Sequence, residues 1–350
     1  MSDAAGETIA ALGAGRMGRG IATAFAYAGH EVWLIDAKPR SLEASEALRR
    51  DALAEIDASL AAMARWGAFD DALRPEILGR VHFAARDAGG AALARADVVF
   101  EGVPEVLDAK REAFAFAAPH LRADALLAST TSSFLVTQLA AFAPRPEHFL
   151  NAHWLNPAHV IPLVELSAHP GTAPEASRAL AALLERIGKV PVMCAAAPGY
   201  IVPRLQSLLM NEAARMIEQG VASPEEIDRA TRYGLGFRFA NMGVVEFIDF
   251  GGNDILYYAS RYLAQALDDP RYASPAIVDR HMREGRNGLR DGKGFHDFTG
   301  VDVTGYRAQA LERMLGMLAH FGMLREPARG EPGNAPSSHP SPSPSTQEES

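Results

Sequence analysis

The six residues Gly13-Ala14-Gly15-Arg16-Met17-Gly18 constrain this chain more than any other feature, because of what stands on either side of them. Residues 8–13 form an apolar run with the character of a buried strand, and residues 16–29 carry Met17, Ile21, Ala24 and Phe25 at helical spacing. A chain passing from strand to helix across three glycines needs each for a separate reason. Gly13 permits the tight turn, Gly15 lets the backbone approach a pyrophosphate, and Gly18 lets the helix lie close on the sheet. The helix start, with Ala14, Arg16 and Met17 around it, then offers unpaired N–H groups to phosphate oxygens. Residues 31–36 read as a second strand that ends on Asp36. A carboxylate there accepts hydrogen bonds from ribose hydroxyls and repels a 2′-phosphate, which favours NAD over NADP. Lys38 and Arg40 close behind it leave a residual NADP activity open.

The alternation continues. A long helical stretch at about 41–68 is followed by strand candidates at 81–83, 97–100, 125–129, 148–153, 162–166 and 190–195, with helices near 108–119, 135–143 and 173–187 between them. Strands alternating with helices over almost 200 residues predict an α/β fold, a Rossmann-type doubly wound parallel sheet. The character changes at Ala197-Pro198-Gly199. Beyond it, apolar residues recur at helical spacing through 204–219, 224–233, 243–268 and 305–322, which predicts an all-α C-terminal domain. The expected organisation is an NAD-binding domain over 1–196 and a helical substrate and dimerisation domain over 197–325. Residues 326–350 are rich in proline, serine and glycine; they bury too little apolar surface to offset their ordering entropy and are expected to be a disordered tail.

Composition narrows the partners. A net charge of −9 argues against nucleic acid or an anionic membrane surface. No apolar stretch reaches the length of a membrane span, and the first residues lack the pattern of a secretory signal. The single cysteine, Cys194, excludes an intrachain disulfide and a cysteine-built zinc site, and the whole suits the reducing cytoplasm. No metal is expected. Only four of the 34 basic residues are lysines: Lys38, Lys110, Lys189 and Lys293.

The segment from His153 to Glu165 carries the chemistry. His153 ends a buried strand, Asn156-Pro157 marks a turn, and a second apolar strand delivers Glu165. A carboxylate beside an imidazole fixes its tautomer and stabilises the imidazolium formed when the ring takes a proton. Oxidising an alcohol with NAD needs such a base, because the hydroxyl proton leaves as hydride leaves carbon. Without the glycine turn upstream, a core histidine and a strand-end glutamate would be the better account.

Residues 7–322 resemble the 3-hydroxyacyl-CoA dehydrogenase family, whose motif reads H-x-x-N-P followed by L-V-E. The landmarks occur in order: Gly13 to Gly18, Asp36, Glu101-Gly102-Val103-Pro104-Glu105 with Lys110, Ser129-Thr130-Thr131-Ser132-Ser133, His153, Asn156, Glu165 and Pro198-Gly199-Tyr200. Further on, Gly243, Glu246 and Asp249 match one helical motif, and Arg290-Asp291-Gly292-Lys293-Gly294-Phe295 another. The resemblance implies a small-molecule substrate, a homodimer, and His153 as catalytic base with Glu165 as its partner. It implies that Ser132 hydrogen-bonds the substrate oxygen and that Asn156 helps hold substrate and nicotinamide. Glu105, Lys110 and Arg290 would border the cofactor. Glu105 and Lys110 are also spaced like a surface ion pair, and a serine such as Ser132 can cap a helix, although its place in a strand-to-loop run at a sheet edge favours the catalytic role.

Three departures leave the substrate open. Pro203 stands where the family motif P-G-F-x-x-N-R has its asparagine, and proline brings neither amide nor N–H. Residues 41–100 hold no lysine where acyl-CoA members use one for coenzyme A, although Arg49, Arg50 and Arg65 are available. The runs Pro162 to Leu166 with His169-Pro170, and Gly234 to Ala240, look more like the relatives that oxidise free hydroxy acids, the L-gulonate 3-dehydrogenase/lambda-crystallin and carnitine 3-dehydrogenase group. In such an enzyme Arg204 or Arg238 could clamp a substrate carboxylate, with a surface salt bridge the favoured alternative for Arg238. The readings are therefore oxidation of a short 3-hydroxyacyl-CoA, the same chemistry on a free 3-hydroxy acid, and, from another class, a non-catalytic NAD-binding structural protein. The joint presence of Ser132, His153, Asn156 and Glu165 speaks against the last.

Overall fold

The computed structural model describes residues 6–327, so the expected tail lies almost entirely outside the described residues. The chain divides into two compact units, Met1–Glu212 and Ala213–Ser350.

The first unit is built on eight short strands: β1 (Ile9–Leu12), β2 (Val32–Ile35), β3 (Val81–Ala84), β4 (Val98–Glu101), β5 (Leu126–Ser129), β6 (Phe149–Trp154), β7 (Leu163–Ala168) and β8 (Val190–Cys194). They form one sheet in the order β3-β2-β1-β4-β5-β6-β7-β8. The helices are α1 (Arg16–Tyr27), α2 (Leu42–Arg65), α3 (Arg74–Gly79), α4 (Arg86–Leu93), α5 (Leu107–Ala117), α6 (Val136–Ala140), α7 (Pro174–Arg186) and the start of α8 (Val202–Glu218). The short helices α3 and α4 have too few residues for their periodicity to stand out in the sequence.

Strands β1 to β6 pair in parallel. The doubly wound, mostly parallel sheet is as expected, with one departure beyond them. β7 runs antiparallel to β6, and β8 follows β7 in parallel. The reason is the connection: the few residues between Trp154 and Leu163 cannot carry a crossover helix, so the chain turns back on itself.

Both sheet faces are covered, which is why the strands read as unbroken apolar runs. Ile9 and Ala11 pack on one side with Phe25, Leu34, Phe100 and Trp154. Ala10 and Leu12 pack on the other with Ile35, Phe114, Leu127 and Phe149. The strand order runs outward from β1 in both directions, so a crevice opens at the carboxyl ends of β1 and β4. The glycine turn shapes its floor. Gly13 has φ +118°, and a Cβ there would lie 2.8 Å from the backbone of Gly102. A Cβ on Gly18 would come 2.0 Å from the carbonyl oxygen of Gly13.

The contact boundary falls inside α8, later than the change of character at 197, because the first residues of that helix bond to the sheet, as described below. The second unit holds the rest of α8, then α9 (Pro224–Ala230), a π-helical turn at Thr231–Gly236, α10 (Phe237–Phe239), α11 (Val244–Gly251), α12 (Asn253–Ala266), α13 (Ala276–Arg283) and α14 (Val303–His320). The run expected over 243–268 breaks at Gly252, whose φ is +115°. Asp249 is buried there, and its carboxylate accepts the backbone N–H groups of Phe295 and His296, both at 2.8 Å. That bond joins the two helical-part motifs of the sequence. Among the described residues, β structure in this unit is limited to isolated bridges, and no helix of the chain is long and apolar enough to cross a membrane.

Gly18→Ala should cost about 1–3 kcal/mol or more, since the added methyl meets a backbone carbonyl that cannot rotate away. Thermal unfolding checks this; a melting temperature equal to that of the parent chain would contradict the packing argument.

Candidate active site

The antiparallel pairing of β6 and β7 sets His153 directly opposite Glu165. The side chains meet, with His153 Nδ1 2.8 Å from Glu165 Oε2. His153 is 7% exposed and Glu165 fully buried. The other oxygen of Glu165 accepts the N–H groups of Ile201 and Val202, each at 2.9 Å, at the start of α8. Free N–H groups at a helix start favour negative charge, so the carboxylate is held as an acceptor. Nδ1 then carries the proton shared with Oε2, and Nε2 keeps its lone pair for an incoming proton.

Ser132 lies in the loop after β5 and Asn156 in the turn after β6, both exposed. Neither side chain hydrogen-bonds within the described residues, so both are free for a ligand. Their backbones are held firmly. Glu105 Oε1 accepts the N–H of Ser132 at 3.1 Å and the N–H and hydroxyl of Ser133 at 2.9 and 2.7 Å, and it also takes the hydroxyl of Thr131. Burial pushes the Glu105 carboxyl up, but the hydroxyls of Thr131 and Ser133 and the Lys110 charge outweigh it and hold the pKa at about 2.

Lys110 is where a sequence expectation needs correction. It is fully buried, with Nζ 3.1 Å from both oxygens of Glu101 and 3.3 Å from Glu105. It has no open face to turn to a cofactor. Its contribution is to hold Glu105 under the serine loop. Burial pushes the Glu101 carboxyl up, opposed by the Lys110 charge and the Ser129 hydroxyl. The ion pair suggested by the spacing does form, at 3.3 Å, but only its Glu105 end is at the surface.

A cavity of about 450 Å³ fills the crevice, lined by Gly13, Ala14, Gly15, Arg16, Met17 and Asp36 among others. The residues fit a dinucleotide. A Cβ on Gly15 would meet nothing within 4 Å, and no side chain caps α1, so its first N–H groups open onto the cavity. Gly18 serves by packing, below the lining. Asp36 is nearly buried, and its carboxylate accepts the backbone N–H of Lys38 at 3.1 Å and Arg40 Nε at 2.7 Å. Each oxygen retains acceptor capacity for a ribose hydroxyl.

Two further expected residues are part of the helical unit. Arg290 belongs to the second unit, where it pairs with Asp254 at 2.8 Å. Arg238, also there, lies over the Phe247 ring at 5.2 Å and forms no ion pair among the described residues. Two residues escaped sequence reasoning. Lys189 is nearly buried and donates to the carbonyls of Ala158 at 2.7 Å and Ile161 at 2.9 Å, bracing the turn that carries Asn156. Its retention among so few lysines was the available signal. Tyr200 stacks on His153, ring centroids 4.9 Å apart and planes 13° from parallel.

A doubly wound sheet, a glycine-turn cavity ending at Asp36 and a histidine–carboxylate pair at the same sheet edge define an NAD-dependent dehydrogenase. Residues 8–197 match the family described as 3-hydroxyacyl-CoA dehydrogenase, NAD binding domain, and residues 199–298 match its C-terminal domain. A probable 3-hydroxybutyryl-CoA dehydrogenase of Deinococcus radiodurans is 31% identical over 82% of this chain and 98% of its own length. A 5-formyl-3-hydroxy-2-methylpyridine 4-carboxylate 5-dehydrogenase of Mesorhizobium japonicum is 29% identical over 89% of this chain and 97% of its own. The crystal structure of a 3-hydroxyacyl-CoA dehydrogenase from Archaeoglobus fulgidus aligns with a TM-score of 0.71 and 30% identity, covering 91% of this chain and all of that one. The chain belongs to the 3-hydroxyacyl-CoA dehydrogenase family and is an NAD-dependent oxidoreductase acting on a CH–OH group.

Glu105→Gln should lower stability at neutral pH. The carboxyl pKa falls on folding from its ordinary 4.5 to about 2, so its contribution is complete above 4.5 and is lost as pH drops through the lower value. Urea midpoints of parent and variant should therefore converge as pH falls toward 2; a gap of constant size would contradict the ionised role.

Proposed function

We propose that this enzyme oxidises the 3-hydroxyl of a short L-3-hydroxyacyl-CoA, of the 3-hydroxybutyryl-CoA kind, to the 3-keto compound. The observation that carries the reading is the buried Glu165 carboxylate on His153 Nδ1, which leaves Nε2 as the base. NAD supplies the hydride acceptor. The substrate hydroxyl gives its proton to Nε2 as the carbon–hydrogen bond breaks, and the imidazolium so formed is stabilised by Glu165. The free hydroxyl of Ser132 donates to the substrate oxygen, and Asn156 orients substrate and nicotinamide. Gly13 to Gly18 and Asp36 hold the dinucleotide, with Arg16 exposed beside the pyrophosphate position.

A second reading, the same hydride transfer on a free 3-hydroxy acid, is favoured by two observations. Helix α2 carries no lysine, and Arg49 on it is paired with Glu46 at 2.9 Å. Pro203 occupies the first turn of α8, where the family asparagine would offer an amide. The Mesorhizobium relative, by its name, acts on a pyridine carboxylate.

We further assign cofactor binding to the first 196 residues, and substrate binding and dimerisation to the helical part up to residue 325. Tyr258 and Tyr262 on α12 are 63% and 70% exposed, an aromatic surface suited to a second copy. One free cysteine suits a reducing, cytoplasmic setting.

His153→Gln should retain NAD affinity while turnover falls by about 10²–10⁴; NAD titration and steady-state rates check it, and preserved turnover would remove His153 from the chemistry. NADH consumption with acetoacetyl-CoA, run beside a panel of free 3-keto acids, separates the two substrate readings. Activity on the CoA ester is expected, and activity on free acids alone would reject the leading reading.

A further inference from the structure

Asn151 stands two residues before His153 on β6, so both side chains leave the same face of the strand. It is fully buried, and its amide nitrogen donates twice: to the Phe134 carbonyl at 3.0 Å and to the Tyr200 hydroxyl at 2.9 Å. The Tyr200 hydroxyl in turn donates to the Thr131 carbonyl at 2.9 Å. The Asn151–Tyr200 pair thus grips the chain on both sides of Ser132 and Ser133. Glu105 holds the same loop through the hydroxyl of Thr131 and the backbone N–H groups of Ser132 and Ser133.

The tyrosine is committed to this place. It is 8% exposed, its ring lies flat against the His153 imidazole, and its backbone sits at φ +44°, a region residues other than glycine seldom occupy. Such outliers persist where the surroundings over-determine them. The Tyr200 hydroxyl is held from one side by the buried Asn151 amide and donates its own proton to the Thr131 carbonyl.

We propose that Asn151 and Tyr200 form a latch that positions Ser132 against His153, fixing the separation of the two groups that meet the substrate oxygen. The latch rests on the roles given above to Ser132 and His153. It makes Asn151 and Tyr200 positioning residues. They act by holding the serine loop to the strand of the base, while Tyr200 keeps one face of the imidazole dry. Small misplacements of such a pair slow the chemical step more than they weaken binding.

The test uses Tyr200→Phe, Asn151→Ala and the double variant of the full chain, with NADH and whichever 3-keto compound the panel shows to be turned over. Each single change should lower kcat about tenfold, the scale of one buried hydrogen bond. The double variant should lose less than the product of the two single losses, because the bond between the two residues is broken either way. KM and NAD affinity should stay within about twofold, and NADH deuterated at the transferred hydrogen should give a larger isotope effect on kcat as hydride transfer becomes limiting. Hydrogen exchange of the free enzyme should quicken over residues 130–135 while β5 stays protected. Unchanged kcat and exchange in Tyr200→Phe, with His153→Gln inactive, would overturn the latch and leave the base assignment standing. Losses that multiply in the double variant would equally reject it. Should His153→Gln retain turnover, the base reading fails, and the exchange measurement still decides whether the two residues hold the loop.

Discussion

In a sheet whose first six strands run one way, the pairing of β6 with β7 is the constraint on which the site depends. It is antiparallel, and its register sets residue 153 across from residue 165. A shift of one residue would turn Glu165 to the opposite face of the sheet and leave a buried carboxylate without its imidazole. Burial makes the pairing consequential. With Glu165 fully inaccessible, its oxygens are divided between the imidazole and two N–H groups at the start of α8, and nothing is left for water. The same carboxylate therefore orients the base and fastens the helix that leads out of the first unit.

Around that pair the polar interior is arranged as supports of loops. Lys110 holds Glu105, Glu105 holds the serine loop, and Lys189 holds the turn of Asn156. The two lysines are buried or nearly so, where a lost partner costs more than at the surface. The chain uses arginine for almost every exposed cation, yet these two buried sites keep lysine. A compact ammonium with three donors fits between carbonyl or carboxylate oxygens where a planar guanidinium does not. The residues that face a ligand, Ser132 and Asn156, have free side chains on braced backbones. A preorganised site of this kind loses little entropy when substrate arrives.

The cofactor crevice follows from different physics. It is made by backbone: a glycine at positive φ, a glycine pressed under a carbonyl, and a helix start without a side-chain cap. Asp36 adds the one side chain that chooses between ribose hydroxyls and phosphate. Its bond to Arg40 ties that choice to a cation four residues on.

Much of this was legible in the linear chain. The glycine turn between an apolar run and a helical stretch, the alternation that follows it, and the change of character near residue 197 reflect local sterics and periodicity, and these are properties of neighbouring residues. The His153 and Glu165 candidates were legible too, as residue types within one motif. Their pairing was expected from the motif; the antiparallel register that brings them together was not, because the periodicity of 162–166 looks the same whether the strand runs parallel or antiparallel. Burial of Lys110, the bracing by Lys189 and the grip of Asn151 and Tyr200 on the serine loop join residues 17 to 69 positions apart or bury them under strands elsewhere in the chain. The sequence by itself determined which chemistry the chain carries and which cofactor it takes. Only the tertiary structure decided which side chains touch the ligand and which hold others in place, because that division is set by burial and by long-range register.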